Sequence, residues 1–326
     1  MRVPYQQLQQ EFKRVLLGLA FPENKAERCA TIFAQNSRDG VYTHGLNRFP
    51  TFVGHVQKGL VDPQAEPECL ERNGLVERWD GHLAPGMYNA SLCMARAIEL
   101  AEQQGIGCVA IRNTNHWMRG GTYGWQAAEA DCIGICFTNT IANVTPWGGT
   151  DARLGNNPLV IGVPRAEGPI VLDMAISQYS YGKLSSYATA HEQLPVPGGY
   201  DNEGKLTTDP AKVLESQRGL PIGFWKGSGL SLVLDVLLTA LSGGRSTAEI
   251  TKSGQESGVS QCFICLKQPQ LHAELVEEIL RYTKSSPPVP GEEVFYPGEK
   301  SLATRKENLA QGVPVQVDIW EQVLKF

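Results

Sequence analysis

The sequence has no excess of positive charge: 29 Lys and Arg face 34 Asp and Glu, for a net charge of -5. A nucleic-acid binder would normally carry a basic stripe, and there is none, nor any long block of like charge. A small anionic ligand must therefore be met by individual Arg or Lys side chains. No apolar run approaches the ~18 residues of a membrane-spanning helix. In MRVPYQQLQQEFKRVLLGLAF, glutamines stand where a signal peptide needs its apolar stretch, so a cytoplasmic location is expected. The eight cysteines sit mostly in apolar runs and are expected as free thiols acting as small hydrophobes. Cys262 and Cys265 form a lone C-x-x-C inside a strand-like run, where core packing is the better reading than redox or zinc chemistry. The six histidines show no H-E-x-x-H or similar spacing, so no metal site is expected. Also missing are the G-x-G-x-x-G dinucleotide fingerprint and the G-x-x-x-x-G-K-[ST] phosphate loop.

What is present is a chain of 326 residues, long enough that two lobes are the default. The first seventy residues read as helical, with Leu8, Phe12, Val15, Leu16 and Leu19 at helical spacing and a second helix over 25–38. Gly59, Pro63 and Pro67 mark a connector. From about Gly74, strand-like runs (106–112, 133–140, 158–164, 169–173) alternate with helical stretches such as 89–104, which is the texture of an α/β lobe. Residues 186–221 read as a Gly/Pro-rich loop, and 226–244 as one strongly apolar helix closed by Gly243-Gly244. A strand at 258–266 and helices at 271–282, 301–311 and 317–324 follow.

Four stretches carry candidate chemistry. In DGVYTHGLNRFP (39–50), a helix starting near Thr43 would set His44 and Arg48 on one face. That pair suits a 2-oxo acid: guanidinium grips carboxylate in a fork, and imidazole donates a proton. By itself the pair more readily describes a helix-surface histidine and a solvated arginine. In IRNTNHWMRGGTYGWQAAE (111–129), Asn115, His116 and Arg119 gather at a strand exit before paired glycines. In TPWGGTDARLGNNPLVIGVP (145–164), Asn156 and Asn157 most simply serve their own backbone. Lys226, behind Trp225 at the mouth of the apolar helix, is unfavourably placed against the helix dipole, which favours a ligand-facing role.

Taken in order, GVYTHGLNRFP (40–50), RNTNHWMRGGTYGWQAAE (112–129), GICFTNT (134–140), LGNNPLV (154–160), SYGKL (180–184), LPVPGGYDNEGKLT (194–207) and GFWKGSGLSLVLD (223–235) resemble the type 2 malate/L-lactate dehydrogenase family. The resemblance spans nearly the whole chain. It implies a non-Rossmann α/β fold, with a largely antiparallel sheet domain and a helical domain formed by both chain ends. The implied boundaries are 74–215 for the α/β cofactor-binding domain and 1–73 with 216–326 for the mainly helical one. It implies NAD as cofactor, a small 2-oxo acid as substrate, and a homodimer with its active site near the subunit interface. By the same resemblance His44 is the proton donor, Arg48 the substrate-binding residue and His116 a second active-site histidine. Cofactor contacts fall on Pro169, Ile170, Val171, Leu172, Asp173, Met174 and Ala175, on Trp225 and Lys226, and on Gly298, Glu299 and Lys300. Where many relatives carry Asp-x-Ala-Thr-Ser, this chain has DMAIS (173–177), so Ile176 is expected to replace a hydroxyl near the cofactor. The segment between Leu266 and Pro297 is short and Pro-rich. Two other readings stay open: a reductase of cyclic imines or an ureidoglycolate-type dehydrogenase on the same fold, and a scaffold that kept the fold without catalysis.

Overall fold

The computed structural model describes residues 1–268 and 272–326. It begins with β1 (Arg2–Val3), α1 (Tyr5–Gly18), α2 (Glu23–Arg38) and α3 (Phe49–Gln57). A hairpin of β2 (Glu68–Asn73) and β3 (Val76–Asp80) leads into α4 (Gly86–Gln104), β4 (Ile106–Thr114), α5 (Gly121–Glu129), β5 (Ile133–Thr138), β6 (Leu159–Val163) and β7 (Ile170–Met174). Then come α6 (Tyr181–Thr189), β8 (Gly199–Tyr200), β9 (Leu206–Thr207), α7 (Pro210–Ser216), α8 (Trp225–Ser242) and α9 (Thr247–Lys252). The last elements are β10 (Val259–Leu266), α10 (Ala273–Lys284), α11 (Glu299–Gln311), β11 (Val313–Pro314) and α12 (Val317–Lys325). The helix expected over 271–282 starts, as described, at Ala273; Leu271 lies outside the described residues.

Seven strands form the main sheet in the order β2-β3-β4-β10-β5-β6-β7. Every neighbouring pair is antiparallel except β3–β4. The expected largely antiparallel, non-Rossmann α/β architecture is therefore what the chain adopts. Strand β10, from the segment expected to be mainly helical, lies at the centre of this sheet. Its alternation sorts the two faces: Phe263 and Cys265 pack with α4 and α5 residues such as Met94, Ala97 and Tyr123, while Cys262 packs under α8 with Leu234 and Leu238.

A separate helical layer joins the two ends of the chain. β1 pairs with β11, and Leu8, Phe12 and Leu16 of α1 share one core with Phe33, Phe49, Phe52, Val313, Trp320 and Val323. Phe12 and Phe33 each pack against Phe49, at 4.3 and 5.0 Å between ring centroids. All eight cysteines are free and seven are buried, Cys262 and Cys265 among them. Among the described residues no helix is long and apolar enough to cross a membrane.

Two stretches differ from the sequence reading. The β2–β3 hairpin begins at Glu68, inside the region read as helical. ECLERN leaves most side chains in water on both faces, as suits a charged edge strand, so it shows no alternation to detect. Within 186–221, read as loop, lie the end of α6, the β8–β9 ribbon and α7, built on the small core of Leu184, Leu194 and Val213. So few buried positions leave no periodic signal, although Asp209, whose side chain accepts from Ala211 N at 2.9 Å, caps α7 in the ordinary way.

Candidate active site

His44 and Arg48 do not share an α-helix. They end two successive 3₁₀ turns, Tyr42–His44 and Leu46–Arg48, separated by Gly45. Gly45 backs directly onto α2: a Cβ there would stand 2.2 Å from Ser37 Oγ and 2.8 Å from Ser37 N. Ser37 Oγ accepts from Leu46 N at 2.9 Å, and Asn36 Nδ2 donates to the His44 carbonyl at 2.9 Å. The turn is thus riveted to the end of α2, and this contact replaces a continuous helix. Both side chains nevertheless line one cavity of about 790 Å³, shared with His116 and Asp173.

His116 follows β4 in a segment held by Asn115, whose Nδ2 donates to the Leu83 carbonyl at 2.7 Å. The backbone N–H of Met118 donates to His116 Nδ1 at 3.0 Å. A neutral His116 therefore carries its proton on Nε2. Its ring stacks on that of His44, with centroids 5.6 Å apart and planes 10° apart. Burial holds His116 well below the ordinary histidine value, helped by the charges of Arg48, His44 and His55. His44 is lowered too, first by burial and then by Arg48 and Arg119, while the carboxylate of Asp173 pulls it back up.

The opposite wall is β7 and the loop before α11. Val171, Leu172, Asp173 and Ala175 line the cavity, as does Gly298. Asp173 Oδ2 accepts from Gly121 N at 2.8 Å, which fixes it at the N-terminus of α5. The Pro297 carbonyl accepts from Val171 N at 3.0 Å. At Gly298 φ is +95°, and a Cβ would stand 3.1 Å from Val171 N, so only glycine lets this loop lie against the strand. Pro169, Ile170 and Met174 stand outside the lining. Glu299 accepts from Tyr296 N at 3.2 Å and pairs with Lys284, and Lys300 Nζ lies 4.0 Å from the centre of the Phe295 ring. Trp225 and Lys226 are exposed at the start of α8, away from the cavity. Ile176, expected near the cofactor, is instead fully buried with Phe137 and Leu234 in the core beneath α8. Its side chain takes the sheet's other side, so the DMAIS departure changes packing and not the cavity wall.

Of the other lining residues, Asn156 reads in the sequence as serving its own backbone, and Asn143, Tyr181 and Glu256 give no signal. Asn156 lies in the cavity and accepts from Thr140 Oγ1 at 2.9 Å, whereas Asn157 is buried and serves Thr140 N and the Ser231 carbonyl. The Asn143 Oδ1 atom is buried without a partner. Tyr181 donates to the Asn143 carbonyl at 3.0 Å, and Glu256 enters from the loop before β10. Arg119, at the rim of His44's field, is ion-paired to Asp39 at 2.9 Å. Among the described lining residues, the guanidinium of Arg48 is thus the cation without an ion pair. No group of His, Cys, Asp and Glu among the described residues could hold a metal ion.

Comparison with known proteins decides the family. A sequence model described as Malate/L-lactate dehydrogenase matches residues 3–324. The chain belongs to the malate/L-lactate dehydrogenase family. It is 47% identical to a 2,3-diketo-L-gulonate reductase of Pasteurella multocida, over 99% of each chain. Among solved structures it resembles malate dehydrogenase from Entamoeba histolytica, with a TM-score of 0.93 at 26% identity, covering 100% of this chain and 96% of that one. It also resembles sulfolactate dehydrogenase from Methanocaldococcus jannaschii, with a TM-score of 0.90 at 29% identity, covering 100% and 96%. The protein is an oxidoreductase of this family, and the cavity's stacked imidazoles, free guanidinium and β7 wall are its candidate active site.

Proposed function

We propose that the chain reduces the carbonyl of a small 2-oxo acid with NADH, and that 2,3-diketo-L-gulonate, for which its 47%-identical relative is named, is the leading substrate. The observation that carries this is Arg48: a guanidinium without an ion-pair partner among the described residues, in one cavity with two stacked imidazoles. Membership of a dehydrogenase family implies a nicotinamide cofactor; NAD over NADP is the finer part of the reading. The chain fits such a group, because Val171, Leu172, Asp173 and Ala175 of the β7 segment and the side-chain-free Gly298 line one wall of the cavity, and Asn143 Oδ1 is a buried acceptor without a partner. When bound, the reduced nicotinamide supplies the hydride.

The protein's own residues then divide the work. Arg48 grips the carboxylate of the 2-oxo acid with two parallel N–H donors. Neutral His116, with its proton on Nε2, is a donor suited to polarising the carbonyl oxygen. His44 gives the proton that turns the carbonyl oxygen into a hydroxyl. The Arg48 charge helps hold down the affinity of His44 for a proton. A carboxylate seated on Arg48 cancels part of that charge, so substrate binding itself favours the protonated, donating form of His44. In the reverse direction neutral His44 is the base.

The same reading includes a cytoplasmic homodimer. On α8, Leu232, Val233, Val236 and Leu237 are exposed together, with Phe224 and Trp225 at its start. A patch of this kind marks an interaction surface. A second copy covering it would give Trp225 and Lys226 a protein environment that the single chain does not offer. Sedimentation of wild type against a Leu232→Asp, Val236→Asp double variant tests this; a wild-type monomer overturns it. The activity is tested by following NADH absorbance with 2,3-diketo-L-gulonate, pyruvate, oxaloacetate and a cyclic imine acid. Turnover confined to the imine would replace the 2-oxo acid reading. Absence of any NADH fluorescence change on mixing would favour a silent scaffold.

A further inference from the structure

Glu256 is a carboxyl group in the candidate active site that the proton-transfer scheme does not use. It lines the same cavity as His44, Arg48 and His116. Its place there is built: the neighbouring Ser257 Oγ donates to Asn115 Oδ1 at 3.1 Å, and Gln261 Nε2 donates to the Asn115 carbonyl at 2.8 Å. The loop bearing Glu256, through Ser257, and the strand that follows it, through Gln261, are therefore stitched to the residue that precedes His116. Among the described residues the Glu256 carboxyl has neither an ion pair nor a hydrogen bond. Burial pushes it up to about 7, against the opposing pull of the Arg48 charge.

The charge inventory of the cavity then restricts the substrate. Arg119 is already committed to Asp39, and Asp173 to the N–H of Gly121. Apart from His44, whose proton the reaction consumes, one free cation, Arg48, and one uncommitted carboxyl, Glu256, remain among the described lining residues. A substrate with one carboxylate satisfies Arg48. Above about pH 7, where Glu256 is ionised, a second carboxylate would meet its charge, and like charges placed together in a recessed site are costly. A hydroxyl group, by contrast, gives Glu256 the donor it lacks.

We propose that Glu256 is a specificity-determining residue that selects 2-oxo monocarboxylates with a hydroxylated tail and rejects dicarboxylates. This rests on the reading above that Arg48 takes the substrate's carboxylate. The test is kcat/KM of wild type and Glu256→Gln with oxaloacetate, pyruvate and 2,3-diketo-L-gulonate, each with NADH at a pH above about 7, where wild-type Glu256 carries its charge. In wild type the hydroxylated acid is expected to be preferred over oxaloacetate. In Glu256→Gln the ratio of oxaloacetate to hydroxylated acid is expected to rise roughly 10-fold or more, since the repelling charge is gone. An unchanged ratio in an active variant overturns the proposal and leaves the 2-oxo acid reading standing. A wild type that reduces none of the three acids overturns both. Arg48→Lys separates the roles, because it should weaken all three acids alike. Should Glu256→Gln fail to fold by circular dichroism, Glu256→Ser is read by the same ratio.

Discussion

The imidazole rings of His44 and His116 lie nearly parallel, with planes 10° apart and centroids 5.6 Å apart. One comes from the turn after α2 and the other from the exit of β4, so the pair joins the helical layer to the sheet. Their environments are not equivalent. Asp173 favours a proton on His44, whereas the charges acting on His116 all oppose one. Two histidines pushed to different proton affinities in this way can serve as acid and as neutral donor.

Removing the donor tests that division. His44→Ala is expected to lower kcat by about 10²–10⁴-fold, the usual scale of general acid–base catalysis, with NADH binding retained by fluorescence titration. Full turnover with normal NADH binding would remove His44 from the chemistry.

The pH profile follows from the sign of the shifts. Reduction needs protonated His44, whose affinity for a proton is below the ordinary value of 6.5, so kcat/KM for reduction should fall as pH rises through that lowered value. The oxidative direction should show the opposite trend. Asp173→Asn keeps an acceptor for Gly121 N and removes the charge that raises His44. Its reductive limb should therefore move to still lower pH, and a move to higher pH would contradict the assignment.

Arg48→Lys keeps the charge and loses the fork. Losing one charge-assisted hydrogen bond is expected to raise KM for the 2-oxo acid by roughly 10- to 100-fold, with the pH profile little changed. Steady-state kinetics on the variant would show this directly.

Gly45 is where a minimal change should disturb both residues together. Gly45→Ala places a methyl 2.2 Å from Ser37 Oγ, and overpacking of this kind costs about 1–3 kcal/mol. Chemical denaturation should show the loss, and kcat should fall because His44 and Arg48 flank the displaced turn.

Asp39 ties three arginines together: Arg38 at 2.7 Å, Arg119 at 2.9 Å and Arg305 at 2.8 Å. Burial raises its proton affinity, but hydrogen bonds from Arg305 and Arg38 and the Arg119 charge bring it below the ordinary carboxylate value. Its contribution is thus fully present above that ordinary value and lost as pH falls through the lowered one. Asp39→Asn should destabilise by about 3–5 kcal/mol, because it leaves buried guanidinium groups without their counter-charge. A thermal melt within a degree of wild type would refute this.

The boundary between sequence and tertiary structure is visible residue by residue. The helices of the first forty residues, the strands at 106–112 and 133–138 and the apolar α8 are legible, because each repeats an apolar position at helical or strand spacing over enough residues to register. His44, Arg48 and His116 are legible as candidates because histidine and arginine stand close together near glycines, in an order that recurs in a known family. The 3₁₀ geometry around Gly45 is not, since it is imposed by Ser37 from another element. Nor is the inward turn of Ile176, because a one-residue change of register sends a strand-end side chain to the opposite face. Glu256 is silent in the sequence for a similar reason: one carboxylate in a loop acquires meaning only when Ser257 fastens that loop, and Gln261 the strand after it, to Asn115.

Family, architecture and the identity of the candidate acid were therefore set by linear pattern, which survives in sequence because it repeats. Which charges face the cavity unpaired, and hence what the site can select, was decided only by the fold. Ion pairing such as Arg119 with Asp39 joins residues far apart in the chain, and no local spacing records it.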